Sequence, residues 1–238
     1  MIYGYTSDFL KKPLRFKIYV TFFLVALISF SACKKEETDT NVYSALSIYN
    51  ASPTPATYDV FLDDTKINTA ALPLGGNMAY FQKVTGSYTV KFTVAGRTES
   101  LFSKTIALPA STYATYFLIG KPTAFEGLLI TDDLSGTSTT NGFIRFINLS
   151  PDAPALDLVV RNGSTLTTNK AYKAASGFAQ LAAGTYAFDI KNPTTGTVIA
   201  SVENVIIGTS GYYNVIVRGL LNPTASESGL SAQAILIK

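Results

Sequence analysis

An internal repeat constrains the fold of this chain more than any other feature of its sequence. Residues 46–61 are repeated at 144–159, and the same offset aligns residues 86–92 with 184–190. Because one offset aligns both pairs of segments, the sequence indicates that a structural unit is duplicated. The residue pairs that keep their identity at this offset include Asn50/Asn148, Ser52/Ser150, Pro53/Pro151 and Asp59/Asp157.

Each copy has the pattern of an all-β domain. Tyr88, Val90 and Phe92 alternate with Thr89 and Lys91, which is the period of a half-buried strand. Turn-forming residues interrupt such runs every 8–12 positions, a spacing typical of β-sandwiches. Predicted strands lie at 47–51, 58–62, 78–82, 88–94, 100–107, 113–119 and 128–131, and then at 143–148, 156–160, 178–181, 186–190, 198–202, 212–217 and 234–237.

The predicted fold class is therefore all-β, with two tandem immunoglobulin-like β-sandwiches of about seven strands each. We expect the first sandwich at 45–131 and the second at 143–238. The segment 132–142 is rich in Gly, Ser and Thr and is expected to be a flexible linker.

The N-terminus has the pattern of an export signal. Basic residues precede an uncharged run at 18–32, which is shorter than the roughly 20 apolar residues that cross a bilayer. The run ends in Phe30-Ser31-Ala32-Cys33, which resembles a bacterial lipobox, and Cys33 is the single cysteine of the chain. We expect a lipoprotein signal peptide at 1–32, and a lipidated Cys33 followed by a polar tether at 33–44. An uncleaved anchor is the alternative, and it also attaches the chain to a membrane.

Cleavage before Cys33 changes the charge balance. The leader contains four of the 19 basic residues and one of the 16 acidic residues, so the mature chain has 15 of each. A neutral chain gives no reason to expect a nucleic-acid partner. Lys34-Lys35-Glu36-Glu37 resembles the surface-export signal of Bacteroidota lipoproteins, the alternative being a charged spacer. We expect an outer-membrane protein on the cell surface, with the periplasmic face as the alternative.

The residue types argue against catalysis. The chain has no histidine, which excludes His-based nucleophile activation and His-ligated metals. One cysteine cannot form an internal disulfide or a cysteine-ligated cluster. The mature part contains no Ser-x-x-Lys motif and no phosphate-binding glycine loop. We expect neither an enzyme nor a cofactor or metal site.

The repeated motif is interpreted as a structural turn. Proline ends the first strand, and short polar side chains bond the local backbone. Two alternatives stay open, namely a glycosylation sequon at each asparagine and a cation site. The residues of the turn motif are Asn50, Ser52, Pro53, Asp59, Asn148, Ser150, Pro151 and Asp157; the cation site would use Asp59 with Asp63 and Asp64, or Asp152 with Asp157.

The motif also carries a family resemblance. Ser150-Pro151-Asp152-Ala153-Pro154-Ala155-Leu156-Asp157 is similar to the signature of the bacterial family called domain of unknown function 4397. The segment 52–59 is a degraded copy of the same signature. The resemblance covers both repeats and implies a secreted β-sandwich, often lipid-anchored in Bacteroidota. It implies no activity and no catalytic residues.

Two functional hypotheses follow. The first is a binding or interaction module that captures an unknown glycan or protein, including a glycan-capture accessory of a polysaccharide-uptake system. Its candidate ligand-contact aromatics are Tyr80, Tyr113 and Tyr212, although aromatic residues in strand patterns more often belong to the core. The second is a structural or adhesive spacer.

Overall fold

The computed structural model describes residue 1, residues 42–121 and residues 123–238. The predicted signal peptide, the lipobox resemblance at Cys33 and the predicted export signal Lys34-Lys35-Glu36-Glu37 lie outside the described residues. Residues 41–238 form one compact unit. The described part is built from sixteen strands and contains no helix. No helix there is long and apolar enough to cross a bilayer.

Each copy contributes eight strands rather than about seven. The first copy contains β1 (Tyr43–Asn50), β2 (Tyr58–Leu62), β3 (Thr65–Lys66), β4 (Asn77–Val84), β5 (Gly86–Val94), β6 (Ser100–Leu108), β7 (Tyr113–Lys121) and β8 (Ala124–Asp132). The second contains β9 (Asn141–Asn148), β10 (Leu156–Val160), β11 (Thr165–Lys170), β12 (Ala179–Ala182), β13 (Gly184–Lys191), β14 (Val198–Ile207), β15 (Tyr212–Arg218) and β16 (Ser231–Leu236). The additional strands are β3 and β11.

The strands form four four-stranded sheets, two in each copy. The first copy has the sheets β4-β1-β7-β8 and β3-β2-β5-β6, and the second has β12-β9-β15-β16 and β11-β10-β13-β14. Most neighbours are antiparallel, but β1 runs parallel to β7 and β9 runs parallel to β15. The prediction of an all-β fold with two β-sandwiches is confirmed.

Side chains alternate between the two faces of each strand, so every second side chain lies between the two sheets of its sandwich. In β1, Leu46 and Ile48 enter the core of the first sandwich with Val60 and Phe92. The matching cluster of the second sandwich includes Ile144, Phe146, Leu158, Phe188 and Val215. Each copy therefore has its own hydrophobic core.

A third cluster joins the two copies. Its buried members come from both copies, and they lie on the opposite face of the same strands. Sheet β4-β1-β7-β8 therefore packs against sheet β12-β9-β15-β16, and we call this contact the seam. Strands buried on both faces are expected to be nearly continuous apolar runs, as β7 and β15 are. The seam consists of Tyr49, Ala51, Phe117, Ile119, Ile147, Leu149 and Ile216.

The segment between β8 and β9 also packs on the second sandwich. Leu134 lies in a buried cluster with Phe143 and Tyr212. The amide of Ser138 donates a hydrogen bond of 3.0 Å to the hydroxyl of Ser210. These contacts hold the linker against the second sandwich.

Candidate functional site

A buried ion pair crosses the boundary between the two copies beside this linker. Asp132 is the last residue of β8, and Arg145 lies inside β9. The Arg145 guanidinium donates through Nη2 to Oδ1 of Asp132, and the two side chains are only 3% and 0% exposed. Nε of Arg145 donates to Oδ1 of Asn214 at 2.9 Å. A charge this deeply buried needs a partner, and each member of the pair supplies one to the other.

The second oxygen of Asp132 is also satisfied. Thr115 donates to Oδ2 from 2.7 Å, and the hydroxyl of Tyr80 donates to the same atom from 2.5 Å. Burial, together with the Asp132 charge, raises the pKa of Tyr80 above its ordinary value. Tyr80 is therefore a neutral donor that helps to hold the ion pair.

An open cleft lies next to the pair, and we call it the linker cleft. Its volume is about 290 Å³. One wall is the linker, and the other is the segment that precedes β12. The lining residues are Thr131, Asp133, Ser135 and Gly136 from the linker side, Phe143, Arg145 and Tyr212 at the base, and Ser176, Gly177 and Phe178 from the other wall.

Aromatic rings form the base and one wall of the linker cleft. Tyr212 stacks on Phe143 with ring centroids 4.5 Å apart, and Phe178 meets Tyr212 edge-on at 5.0 Å. The Arg145 guanidinium lies 4.6 Å from the Phe178 ring centroid. Tyr212 is only 2% exposed and donates its hydroxyl to the Gly136 carbonyl at 2.8 Å. Tyr212 therefore supports the cleft from below, while Phe178 is half-buried in its wall.

The carboxylate of Asp133 stands on the linker wall. It accepts hydrogen bonds from the Ser135 hydroxyl at 2.6 Å and from the Ser135 amide at 3.2 Å. These hydrogen bonds, the hydroxyl first, hold the pKa of Asp133 below its usual range. Asp133 is thus an ionised, fixed acceptor at the edge of the cleft.

A second cavity, of about 390 Å³, lies on the other side of the linker. Its main aromatic residue is Tyr113, which is 40% exposed. The Tyr80 ring meets Tyr113 edge-on at 5.3 Å, and the ammonium of Lys238 lies 5.5 Å from the Tyr113 ring centroid. The structure therefore brings Tyr80, Tyr113 and Tyr212 together around the linker, and Tyr113 is the exposed one.

The repeated motif lies at the other end of β1 and β9, away from the linker. Oδ1 of Asn50 accepts the Ser52 amide at 3.0 Å, and Oδ1 of Asn148 accepts the Ser150 amide at 3.1 Å. Both asparagines are fully buried. A glycosyltransferase cannot reach either sequon in the folded chain.

The other motif residues also bond within the chain. The Ser52 hydroxyl donates to the Gly120 carbonyl at 3.1 Å, and that of Ser150 donates to Asp152 at 3.2 Å. The carbonyl of Pro53 accepts the Ser228 amide at 3.1 Å. Pro151 opens the turn between β9 and β10.

The acidic residues have partners too. Asp59 pairs with Lys66 at 2.7 Å and accepts the Gly96 amide at 3.0 Å, while Asp157 accepts the Asn169 amide at 2.7 Å. Within 42–121 and 123–238 no three acidic residues converge in a group that could hold a metal ion. The geometry does not favour the cation-site alternative.

Sequence reasoning missed Asp132, Arg145 and Phe178 as parts of a site. One signal was present, because Arg145 interrupts the otherwise apolar run Phe143–Ile147. A charge inside a buried strand needs a partner, which points to an acid nearby in space. The sequence did not show which acid supplies it.

Three comparisons place the chain among known proteins. No curated protein matches the sequence. Two solved structures that resemble it are the Bacillus anthracis TIE protein and the Eubacterium rectale Amy13K module CBMbc (family CBM26), crystallised with maltoheptaose. The first is 13% identical with a TM-score of 0.25, and the match covers 75% of this chain and 34% of that one. The second is 12% identical with a TM-score of 0.24, and the match covers 81% of this chain and 95% of that one.

This chain therefore spans about a third of the length of the TIE protein. A family match is more informative than these distant structural likenesses. Residues 44–159 match the model of the family described as Domain of unknown function (DUF4397), which confirms the family resemblance over the first copy and the opening of the second.

Proposed function

We propose that this chain is a noncatalytic cell-envelope lipoprotein that binds a ligand at the linker cleft. Lipid on Cys33 holds it at the outer membrane, with the two sandwiches on the cell surface. The observation that supports a binding role is the cleft itself, where the half-buried ring of Phe178 and the fixed carboxylate of Asp133 stand on opposite walls. Ligand sites typically combine apolar or aromatic walls with a few placed polar groups.

The proposed ligand class is a neutral glycan. Sugar rings present an apolar face that packs on an aromatic ring, and their hydroxyls donate to carboxylates and carbonyls. The Arg145 charge in the cleft is already neutralised by Asp132, so the cleft offers no free cation to an acidic ligand. A volume of about 290 Å³ is at the lower limit for small-molecule sites, which fits the end of a glycan chain.

A glycan array probed with the full-length chain in detergent tests this proposal. Wild type is expected to give a saturable signal that the Phe178→Ala variant loses by tenfold or more. The matched control is Phe61→Ala, because Phe61 is also half-buried but lies on β2, outside the cleft. Equal signals from wild type and Phe178→Ala would contradict the assignment of the cleft.

The anchor has its own test. Cells grown with a labelled fatty acid are expected to label the wild-type chain, while Cys33→Ala stays unlabelled and leaves the membrane fraction. Acylation of the Cys33→Ala variant would show that another residue carries the lipid.

A structural or adhesive spacer is the second candidate, and the seam favours it. A shared apolar contact joins the two sandwiches in one compact unit, and a spacer requires such a fixed connection. A folded wild-type chain that binds no glycan on the array would favour this role.

A further inference from the structure

Both sandwiches have corresponding strand ends on one side of the compact unit. In the first, Tyr43 at the start of β1 is opposite Val84 at the end of β4. In the second, Asn141 at the start of β9 is opposite Ala182 at the end of β12. The ammonium of Lys238, which follows the last strand of the second copy, lies 5.5 Å from the ring centroid of Tyr113 in the first copy. The corresponding strand ends of the two copies are therefore neighbours. We call this side the proximal end, because the described chain enters it at Val42.

Most connections between strands at the tip of the proximal end are uncharged, and the linker with Asp133 is the exception. Four connections there contain only apolar, small or hydroxyl residues, and these are 84–86, 108–112, 182–184 and 207–211. The connections at the opposite end carry Arg97, Glu99 and Glu227. Asp63, Asp64 and Arg161 lie in two turns on the proximal side, which are set back from its tip to the level of Thr89 and Ala187.

The nearby charges at the proximal end are paired within the chain. Asp133 accepts the hydroxyl of Ser135, and Lys238 donates to the Leu134 carbonyl at 3.1 Å. Lys83, at the end of β4, places its ammonium 5.7 Å from the ring centroid of Tyr88. Asp64 pairs with Lys91 at 3.2 Å and Arg161 with Asp189 at 2.8 Å, so these charges on the proximal side are satisfied within the chain.

The proximal end also exposes apolar and aromatic side chains. Five of the large hydrophobic residues with high exposure are here, with exposed fractions of 45% for Val42, 38% for Tyr43, 40% for Tyr113, 72% for Ile206 and 60% for Leu236. Tyrosine is enriched where membrane proteins meet the headgroup region. Uncharged loops can also approach a bilayer without the cost of desolvating an ion.

Chain length restricts what this end can face. Eight residues lie between Cys33 and Val42, and even fully extended the nine Cα–Cα steps from Cys33 to Val42 span no more than about 32 Å. The opposite end is roughly 30 Å farther away, because strands of eight or nine residues rise about 3.3 Å per residue. Given the lipid anchor proposed above, on which this step rests, we infer that the proximal end of the unit lies against the surface of the lipid bilayer.

Single-cysteine labelling tests this orientation. In a lipidated chain Cys33 is blocked, so an introduced cysteine is the one free thiol. Full-length protein carrying Ala110→Cys or Thr209→Cys is labelled with an environment-sensitive fluorophore. It is reconstituted in phosphatidylethanolamine–phosphatidylglycerol vesicles that contain a lipid-borne quencher. Thr98→Cys and Thr194→Cys, which are exposed at the opposite end, are the matched controls.

We expect at least threefold stronger quenching at residues 110 and 209 than at residues 98 and 194. Equal quenching at both ends of a lipidated chain, or stronger quenching at 98 and 194, would overturn the orientation alone. Labelling of Cys33 in the wild-type chain would overturn the anchor and the orientation together.

Discussion

The guanidinium of Arg145 and the carboxylate of Asp132 form an ion pair across the boundary between the two copies, with both side chains buried. One residue ends the last strand of the first sandwich, and the other lies in the first strand of the second. The pair also forms the inner end of the linker cleft, since Arg145 lines it. The same contact thus fixes how the sandwiches join and shapes the candidate site.

Removing either member of this pair is expected to destabilise the fold. Arg145→Met and Asp132→Asn should each lower the free energy of unfolding by about 3–5 kcal/mol, because each leaves a buried charge without its partner. The double variant should lose less than the sum of the two. Urea denaturation of all three gives the coupling energy.

An exposed pair provides the control for that cycle. Arg161 contacts Glu203 at 2.7 Å with side chains 36% and 61% exposed, so Glu203→Gln should cost less than about 1 kcal/mol. Additive losses in the Arg145 and Asp132 variants would contradict an energetic coupling of these two residues across the boundary between the copies.

Truncating a seam residue is expected to lower the free energy of unfolding strongly, although its side chain faces away from the core of its own sandwich. Phe117 is buried against the second copy, so Phe117→Ala should cost about 3–5 kcal/mol. Phe61→Ala, on an outer half-buried face, should cost clearly less. Denaturant titration compares the two variants, and similar small losses would show that the copies do not share a packed interface.

Much of this architecture could be predicted from the sequence. The predicted bounds of β2 and β10 match the structure, because each short apolar run is enclosed by turn residues. The strands β3 and β11 were missed. β3 contains two residues, and β11 reads Thr-Leu-Thr-Thr-Asn-Lys, which lacks the apolar alternation of a half-buried strand.

The seam and the cleft could not be predicted in the same way. Apolar runs such as Tyr116–Ile119 indicate burial on both faces, but they do not say which surface covers the second face. Tyr80, Tyr113 and Tyr212 are far apart in the chain, and only tertiary packing brings them to the linker. Segment 132–142 was expected to be a flexible linker, whereas its residue Leu134 packs in a buried cluster.

The motif asparagines should contribute strongly to stability. Asn148 accepts the Ser150 amide and donates to the carbonyls of Pro154 and Lys170 at 3.1 and 3.0 Å. Asn148→Ala leaves these buried groups without partners and should cost about 2–4 kcal/mol. Asn192→Ala is the control, because Asn192 accepts the Thr194 amide in an exposed turn. Equal unfolding midpoints for the two variants would contradict a structural role for the motif.

Asp59 predicts a specific dependence of stability on pH. The hydrogen bond from Lys66, followed by that from the Gly96 amide, lowers the pKa of Asp59 from its ordinary value of 3.8 in the folded chain. Its contribution is therefore complete above pH 3.8 and is lost as the pH falls through the lower folded pKa. Asp59→Asn should reduce stability at neutral pH and flatten the acid limb, as measured by urea denaturation from pH 7 downwards. An unchanged acid limb would contradict this contribution.

The most direct test of a ligand at the linker cleft is the thermal stability of the full-length chain across a panel of glycans. A bound glycan at 100 times its dissociation constant is expected to add about 2.7 kcal/mol to the folded state. This stabilisation should appear in wild type and Phe61→Ala and be absent from Phe178→Ala. A folded wild-type chain that no glycan stabilises, or equal stabilisation of Phe178→Ala, would contradict glycan binding at this cleft.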